Sequence, residues 1–376
     1  MTTTINNKNK KPNVPNLRFP EFEGEWEYFL INDVCSEFKS GKNIKADSVF
    51  ECGEYPVYGG NGLRGYTSSY NHEGLYVLIG RQGALCGNVR SVYGKTYITE
   101  HAIAVAGNER SNTNFLHYLF LKMNLGQYSD QSAQPGLAVN KLLKLKVALP
   151  IISEQTKIAK LLSLLDERIA TQNKIIEDLK KLKSAIIEKL YSEIQGKEYS
   201  YRQLFEIINE RNNRLEFSNV LSASQERGMV SREDLNLDIK FERSNINTYK
   251  IVRNGDYVIH LRSFQGGFAF SNIVGVCSPA YTIMRPKDLL EYGYLSYYFT
   301  SRQFIKSLVI VTYGIRDGRS INVDEWLGMK IVIPTKERQR HIVRTIKVFE
   351  NRIENEEMYA SCLLKQKQHL LRQMFI

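Results

Sequence analysis

Nine prolines are spread along this 376-residue chain and no two are adjacent. That excludes the Asn/Asp-Pro-Pro-aromatic signature with which amino-methyltransferases grip an extruded base. Five cysteines, Cys35, Cys52, Cys86, Cys277 and Cys362, are odd in number and never spaced as Cys-x-x-Cys. Neither a disulfide framework nor a structural zinc is expected, and the thiols suit a reducing cytoplasm. A phosphate-cradling loop is lacking too: before Gly94-Lys95-Thr96, Val89 stands where the first glycine must be. Phe264-Gln265-Gly266-Gly267-Phe268 is too loose for a cofactor fingerprint, and the six histidines show no metal-ligand spacing. No run of 18 apolar residues exists, so no membrane span is expected. The polar start, MTTTINNKNKKPNVPN, reads as a disordered tail over residues 1–16 and not as a signal peptide. The chain is expected to perform no chemistry by itself.

Charge is the next thing the chain has little of in any one place. The formal balance is +11 with a pI near 9.2, which points to an acidic partner such as nucleic acid. Yet residues 17–150 sum to 0 and residues 197–334 to +3, with no dense basic run. A nucleic-acid site must therefore come from local clustering on one face.

What the chain does contain is a long internal repeat. Pro150, Gln155, Ile158, Leu162, Leu165, Arg168, Ile169, Leu179 and Lys183 are answered by Pro334, Gln339, Ile342, Ile346, Phe349, Arg352, Ile353, Leu363 and Lys367. The offset between Pro150 and Pro334, 184 residues, holds without a gap to Tyr191 and Phe375. A period this long is no solenoid. It predicts two copies of one unit, a globular body followed by a long helix, with pseudo-twofold symmetry. Short Val, Ile and Tyr runs cut by glycine, such as GLYVLIG from Gly74 and GDYVIHLRSF from Gly255, read as strands. One amphipathic helix follows in each half, NFLHYLFLKMNL and YLSYYFTSRQFIKSLV. EYSYRQLFEII opens the second half as the first opens, with Tyr201 and Leu204 placed where Trp26 and Phe29 stand. The predicted class is α+β: two mixed, strand-rich bodies and two long antiparallel coiled-coil helices. The bounds are 17–150 for the first body, 151–196 for its helix, 197–334 for the second body and 335–376 for its helix. Trp26, Trp326 and Phe349 are assigned to the core.

The helices carry a seam. From Ile158, alternating steps of four and three reach Leu162, Leu165, Ile169, Gln172, Ile176, Leu179, Lys183, Ile186 and Leu190. From Ile342 the same steps meet polar residues at Glu356 and Lys367. An antiparallel pairing would set Gln172 against Lys367 and Lys183 against Glu356, a polar layer fixing register. The alternative is that these side chains snorkel to water at the seam's edge. A helix of about 42 residues spans roughly 63 Å, a ruler suited to a target read at two places along a duplex.

Several strings then converge on one resemblance. They are LRFPEFEGEWE, YPVYGGNGLRGY from Tyr55, VLIGRQGALCGNV from Val77, SAQPGLAVNKLLKLKVALPIISEQTKIAKLLSLLDERI from Ser132, and GRSINVDEWLGMKIVIPTKERQRHIV from Gly318. With the repeated helices they resemble the specificity subunit of a type I restriction-modification enzyme, over nearly the whole chain after residue 16. The resemblance implies two target-recognition domains separated by spacer helices, reading a bipartite sequence in double-stranded DNA, one half-site each. It implies two methyltransferase subunits as partners, with S-adenosylmethionine bound there, and motor-nuclease subunits using ATP and Mg. No cofactor is expected on this chain. A non-catalytic coiled-coil adaptor joining two protein-binding domains is the alternative. Two departures stand out: the second body lacks a counterpart of YPVYGGNGLRGY, and Glu154 is answered by Arg338.

Candidate DNA contacts follow from residue chemistry. In Tyr58-Gly59-Gly60-Asn61-Gly62-Leu63-Arg64-Gly65-Tyr66 the glycines allow close backbone approach, Asn61 suits an adenine edge, and Arg64 a guanine or a phosphate. A plain glycine-bearing hairpin is the alternative. Arg81 and Gln82 stand at a strand end, with Ser132 and Gln134 before the Pro135-Gly136 turn. In the second body Arg262, Ser263 and Gln265 take the comparable place, and Tyr313, Arg316 and Arg319 frame a backbone-gripping tract in which Arg316 could instead pair with Asp317.

Overall fold

The computed structural model describes residues 13–130, 136–224, 227–235, 243–260, 267–313 and 320–376. Two compact units emerge: the first joins residues 1–173 to 358–376, and the second is the continuous stretch 174–357. Each long helix is thus shared between both units.

In the first unit, strand β1 (Glu27–Leu30) runs into a single helical turn, α1 (Ile31–Val34), and then β2 (Cys35–Ser40), β3 (Tyr55–Gly59), β4 (Gly62–Thr67), β5 (His72–Gly80), β6 (Val89–Ile98) and β7 (Ala102–Gly107). Helix α2 (Thr113–Met123), the short α3 (Val139–Leu142) and β8 (Lys146–Leu149) lead to α4 (Ile152–Ser192). Six strands form one sheet in the order β2-β7-β5-β6-β3-β4, while β1 and β8 pair separately as an antiparallel ribbon. Alternation decides the faces. Val77, Ile79, Val89, Ile103 and Val105 meet Phe115, Leu116, Leu119 and Phe120 of α2, whose Asn112 cap accepts from the Phe115 amide. Leu78, Val92 and Ala104, on the other face, gather Tyr58 and Tyr76.

The chain start is fastened earlier than expected. Asn13 and Trp26 exchange backbone and side-chain bonds, so the expected tail does not extend over residues 13–16; residues 1–12 lie outside the described residues. Arg18 makes a bidentate bond to Glu154, at 2.8 Å for each oxygen, and the Leu17 amide donates to the Gln373 carbonyl.

The second unit opens with β9 (Lys197–Ser200) and α5 (Tyr201–Leu204), followed by β10 (Phe205–Ile208), β11 (Leu221–Ser224), β12 (Gly228–Ser231), β13 (Lys250–Val252), β14 (Tyr257–Ile259), β15 (Phe268–Phe270), β16 (Gly275–Cys277) and β17 (Thr282–Pro286). Then come α6 (Tyr294–Tyr298), α7 (Arg302–Ser307), β18 (Thr312–Tyr313), β19 (Ser320–Ile321), α8 (Val323–Gly328), β20 (Lys330–Ile333) and α9 (Lys336–Gln373). Among the described residues the largest sheet of this unit has four strands, β10-β17-β14-β15. One amphipathic helix was expected from Tyr294 onward; two short ones form, because Ser301 caps α7 by accepting from the Phe304 amide and so ends the first. Tyr201 and Leu204 also stand elsewhere than expected. They follow β9 as Ile31 and Val34 follow β1, and all four are buried. The ribbon of β9 with β20 answers that of β1 with β8.

Both units repeat the same polar contacts. Gln155, buried, donates to the carbonyls of Arg110 and Pro150 and accepts from the Asn112 amide. Gln339 donates to the carbonyls of Leu289 and Pro334 and accepts from the Glu291 amide.

The seam residues Ile158, Leu162, Leu165, Ile169, Gln172, Ile176, Ile342, Ile346, Ile353, Ala360 and Leu363 are buried; Phe349 is only half-buried. Within the first unit Asp166 meets Lys367 and Arg168 meets Tyr359; within the second, Lys180 meets Glu357 and Lys183 meets Glu350. In each unit, as one helix advances the other retreats, so the paired stretches are antiparallel. The register differs from the expected one. Lys367 pairs with Asp166 at 2.5 Å instead of Gln172, and Lys183 with Glu350 at 3.4 Å instead of Glu356, which pairs along its own helix with Arg352. The reason is side-chain reach: each lysine leaves the seam for an acid flanking it, where water still solvates the pair. Near the helix ends the buried face also drifts, from Ile186 and Leu190 to Ile187 and Tyr191, as a helix of 3.6 residues per turn must against a seven-residue repeat.

Candidate nucleic-acid interface

In the first unit, three loops predicted from different parts of the sequence meet. The β3–β4 turn brings Gly60 so close to the turn after β6 that an added Cβ would lie 2.7 Å from the His101 carbonyl oxygen and 3.3 Å from the Gly80 Cα. At Gly62, where φ is +106°, a Cβ would lie 2.6 Å from Arg90 Nη1. Gly60 is therefore required by the close approach of backbone inside the body itself, and Gly62 by its positive φ. Past the end of β5, the Arg81 amide donates to the His101 carbonyl at 2.9 Å, and the Arg81 carbonyl accepts from the Leu137 amide at 2.9 Å. Gln82 forms an isolated bridge with Gly136. The turn between β6 and β7 is anchored by the Thr99 amide bonded to the Tyr58 carbonyl at 2.9 Å.

The assembly exposes Asn61, Arg64, Gln82 and Arg90, with Arg81 half-buried. Tyr58 and Tyr66 are half-buried: Tyr58 packs on the apolar face, and Tyr66 exchanges backbone bonds with Phe50 at 2.8 and 2.9 Å. Beneath the same face Glu37 accepts from His72 at 3.0 Å and from Tyr76 at 3.2 Å, with Lys39 at 3.1 Å. Burial pushes the Glu37 carboxyl upward, but Lys39 and His72 outweigh it and hold it below its ordinary range.

Arg90 and the Glu100-His101 pair were not among the predicted residues. His101 Nδ1 lies 3.1 Å from Gln82 Oε1, and its Nε2 lies 3.3 Å from Glu100 Oε1. The signal was two charged or titratable residues interrupting the apolar run from Val89, which the structure resolves into two strands with a turn between them. Ser132 and Gln134 lie outside the described residues, as do Arg262, Ser263, Gln265, Arg316 and Arg319. Tyr313 ends β18, opposite Ser320.

Among the described residues no cluster of His, Cys, Asp and Glu has the arrangement of a metal site, and no helix is long and apolar enough to cross a membrane. What the first body offers is a rigid, glycine-tight corner carrying cationic and amide side chains, the chemistry that contacts phosphates and base edges.

Residues 23–181 match the family model described as the type I restriction modification DNA specificity domain. The type I restriction enzyme EcoprrI specificity subunit of Escherichia coli is 40% identical over 173 residues, 45% of this chain and 42% of that subunit. In that match the chain spans under half the relative's length. The MjaVIII specificity subunit of Methanocaldococcus jannaschii is 24% identical over 401 residues, covering 94% of this chain and 92% of that one. Among solved structures, the type I restriction-modification S subunit of M. genitalium superposes with a TM-score of 0.62 over 96% of this chain and 99% of that one, at 14% identity, a likeness of fold.

Proposed function

We propose that this chain, which is similar to type I restriction-modification specificity subunits in sequence over residues 23–181 and in fold, is the DNA sequence-recognition subunit of such a complex. It reads a bipartite target, one half-site per body, with residues 17–150 and 197–334 as the two target-recognition domains. It directs methyltransferase and motor-nuclease subunits to that target. S-adenosylmethionine, ATP and Mg belong in this reading to those partners, and no reacting group comes from this chain.

The observation that carries the reading is a frame built twice around two unlike bodies. The buried glutamines and the helix ion pairs recur at one sequence offset, whereas a six-stranded sheet in one unit is replaced by a four-stranded one in the other. Equal frames suit two copies of one partner, two methyltransferase subunits. Unlike bodies suit two different half-sites.

The test is a map of methylated adenines in cells carrying this chain and its methyltransferase, before and after residues 197–334 are exchanged for those of another family member. One half of the recognised sequence should change and the other stay. An unchanged target, or a complex that shifts no duplex DNA in a salt-sensitive manner, would favour the adaptor alternative.

A further inference from the structure

We infer that His101 is a positioning residue for base reading: it holds the Gln82 amide in the one orientation that matches an adenine edge. The inference rests on the DNA-recognition reading and deepens it. Gln82 is exposed, but its backbone is held by its bridge with Gly136 and by the bonds of its neighbour Arg81 to His101 and Leu137. Its side chain has one described partner, His101 Nδ1 at 3.1 Å. The atom that faces it is the amide oxygen, which only accepts, so in this contact the hydrogen is carried by Nδ1. On the ring's other side Nε2 lies 3.3 Å from Glu100 Oε1, a pair that is ionic only when the ring is protonated.

An unrestrained glutamine presents its oxygen and nitrogen in either order. Held by His101, Gln82 keeps a second lone pair on Oε1 and two hydrogens on Nε2 with no described partner. Adenine's major-groove edge offers an N6 donor beside an N7 acceptor, the complement of that order. The neighbouring Glu100 carboxylate argues for a base over a phosphate at this corner, because a phosphate would meet like charge. The backbone contacts fall to Arg64, Arg81 and Arg90 instead.

The experiment uses the full complex with its methyltransferase partner, selecting bound duplexes from a randomised library and then measuring affinity for single-base variants at two salt concentrations. Gln82→Ala should lose preference for adenine at one position of the first half-site by about tenfold. His101→Phe should lose several-fold at the same position, with other positions and the salt slope unchanged. His101→Asn, which returns a donor near the place of Nδ1, should restore most of the preference, and His101→Phe should add nothing in the Gln82→Ala background. A His101→Phe complex with unaltered base preference overturns the inference, as does one altered at a position that Gln82→Ala leaves alone. Even weakening of all sequences, with a flatter salt slope, also overturns it by assigning the corner to phosphate. A wild-type complex with no sequence preference at all is a different result: it overturns the recognition reading itself.

Discussion

The two units solve one structural problem with the same frame and differ in what they build on it. Each has a two-stranded ribbon leading to a buried helical turn, and each has a buried glutamine tying the start of a long helix to the body beside it. Each also has a tyrosine from the body bonded to an acid that meets a lysine of the other helix. In the first unit these are Tyr118, Asp166 and Lys367; in the second, Tyr297, Glu350 and Lys183. Burial, followed by the acid alongside, pushes both tyrosine hydroxyls up. The repeat therefore reaches the level of individual hydrogen bonds in the frame and fades in the sheets.

Two differences within the frame show where the likeness ends. Glu154 is fully buried and bound by Arg18 of the chain start, whose guanidinium is held above its ordinary pKa by that bond. Arg338, at the equivalent place, is exposed and needs no such cover. Arg18→Ala should leave a buried carboxylate unpaired and cost about 3 kcal/mol, the largest effect in this comparison, read by urea denaturation. Arg338→Ala should fall within about 0.5 kcal/mol. Near-equal losses would mean that the two helix starts are alike after all.

Next in size are the glutamines. Gln155→Leu and Gln339→Leu each strand three backbone groups, and each should cost about 2 kcal/mol. Because the bonds match one for one, the two losses should agree, and a difference well beyond the error of the denaturation midpoints would break the claim that the frame is repeated.

A smaller asymmetry is visible only in acid. His117, before Tyr118, has its pKa lowered from 6.5 to about 4 by burial, helped by Lys367; Ser296 precedes Tyr297 in the other unit. The unfolded chain takes up this proton before the folded one does. The stability that His117 contributes is therefore complete above about pH 6.5 and declines as the pH falls toward 4. A thermal melt followed from pH 7 to 5 should show the first unit weakening, and His117→Gln should remove most of that slope. A slope unchanged in the variant would assign the acid response elsewhere.

Smallest are the helix ion pairs. Lys183→Met and Lys367→Met should each change stability by no more than about 1 kcal/mol, since both pairs keep some contact with water. A loss of several kcal/mol from either would restore the idea that a lysine layer fixes register.

Much of the frame was legible because it is written in local periodicity. Most of the residues selected by steps of four and three from Ile158 and Ile342 are buried, with Leu179, Lys183, Phe349 and Glu356 half-buried before the last two turns. The pairing of Lys183 and Lys367 was not legible, since a lysine reaches past its own position and takes whichever acid flanks the seam. The split of the helix after Tyr298 turned on one capping hydroxyl, Ser301. In the candidate site, the glycine turn and the Arg81–Gln82 strand end were readable as turn chemistry and strand punctuation. Their meeting with His101 was not, because it joins residues from three separate connections of the sheet.

By itself the sequence determined that there are two copies of one plan, that each carries a long helix with an apolar seam, and that no metal or phosphate-binding motif is written into it. These follow from spacing along the chain, and spacing is local information. Tertiary structure alone decided that the compact units take half of each helix, which acid each lysine meets, and that Gln82 stands beside His101. Those outcomes depend on which distant segments share a core, a choice made by burial of apolar surface and satisfaction of buried polar groups across the whole fold.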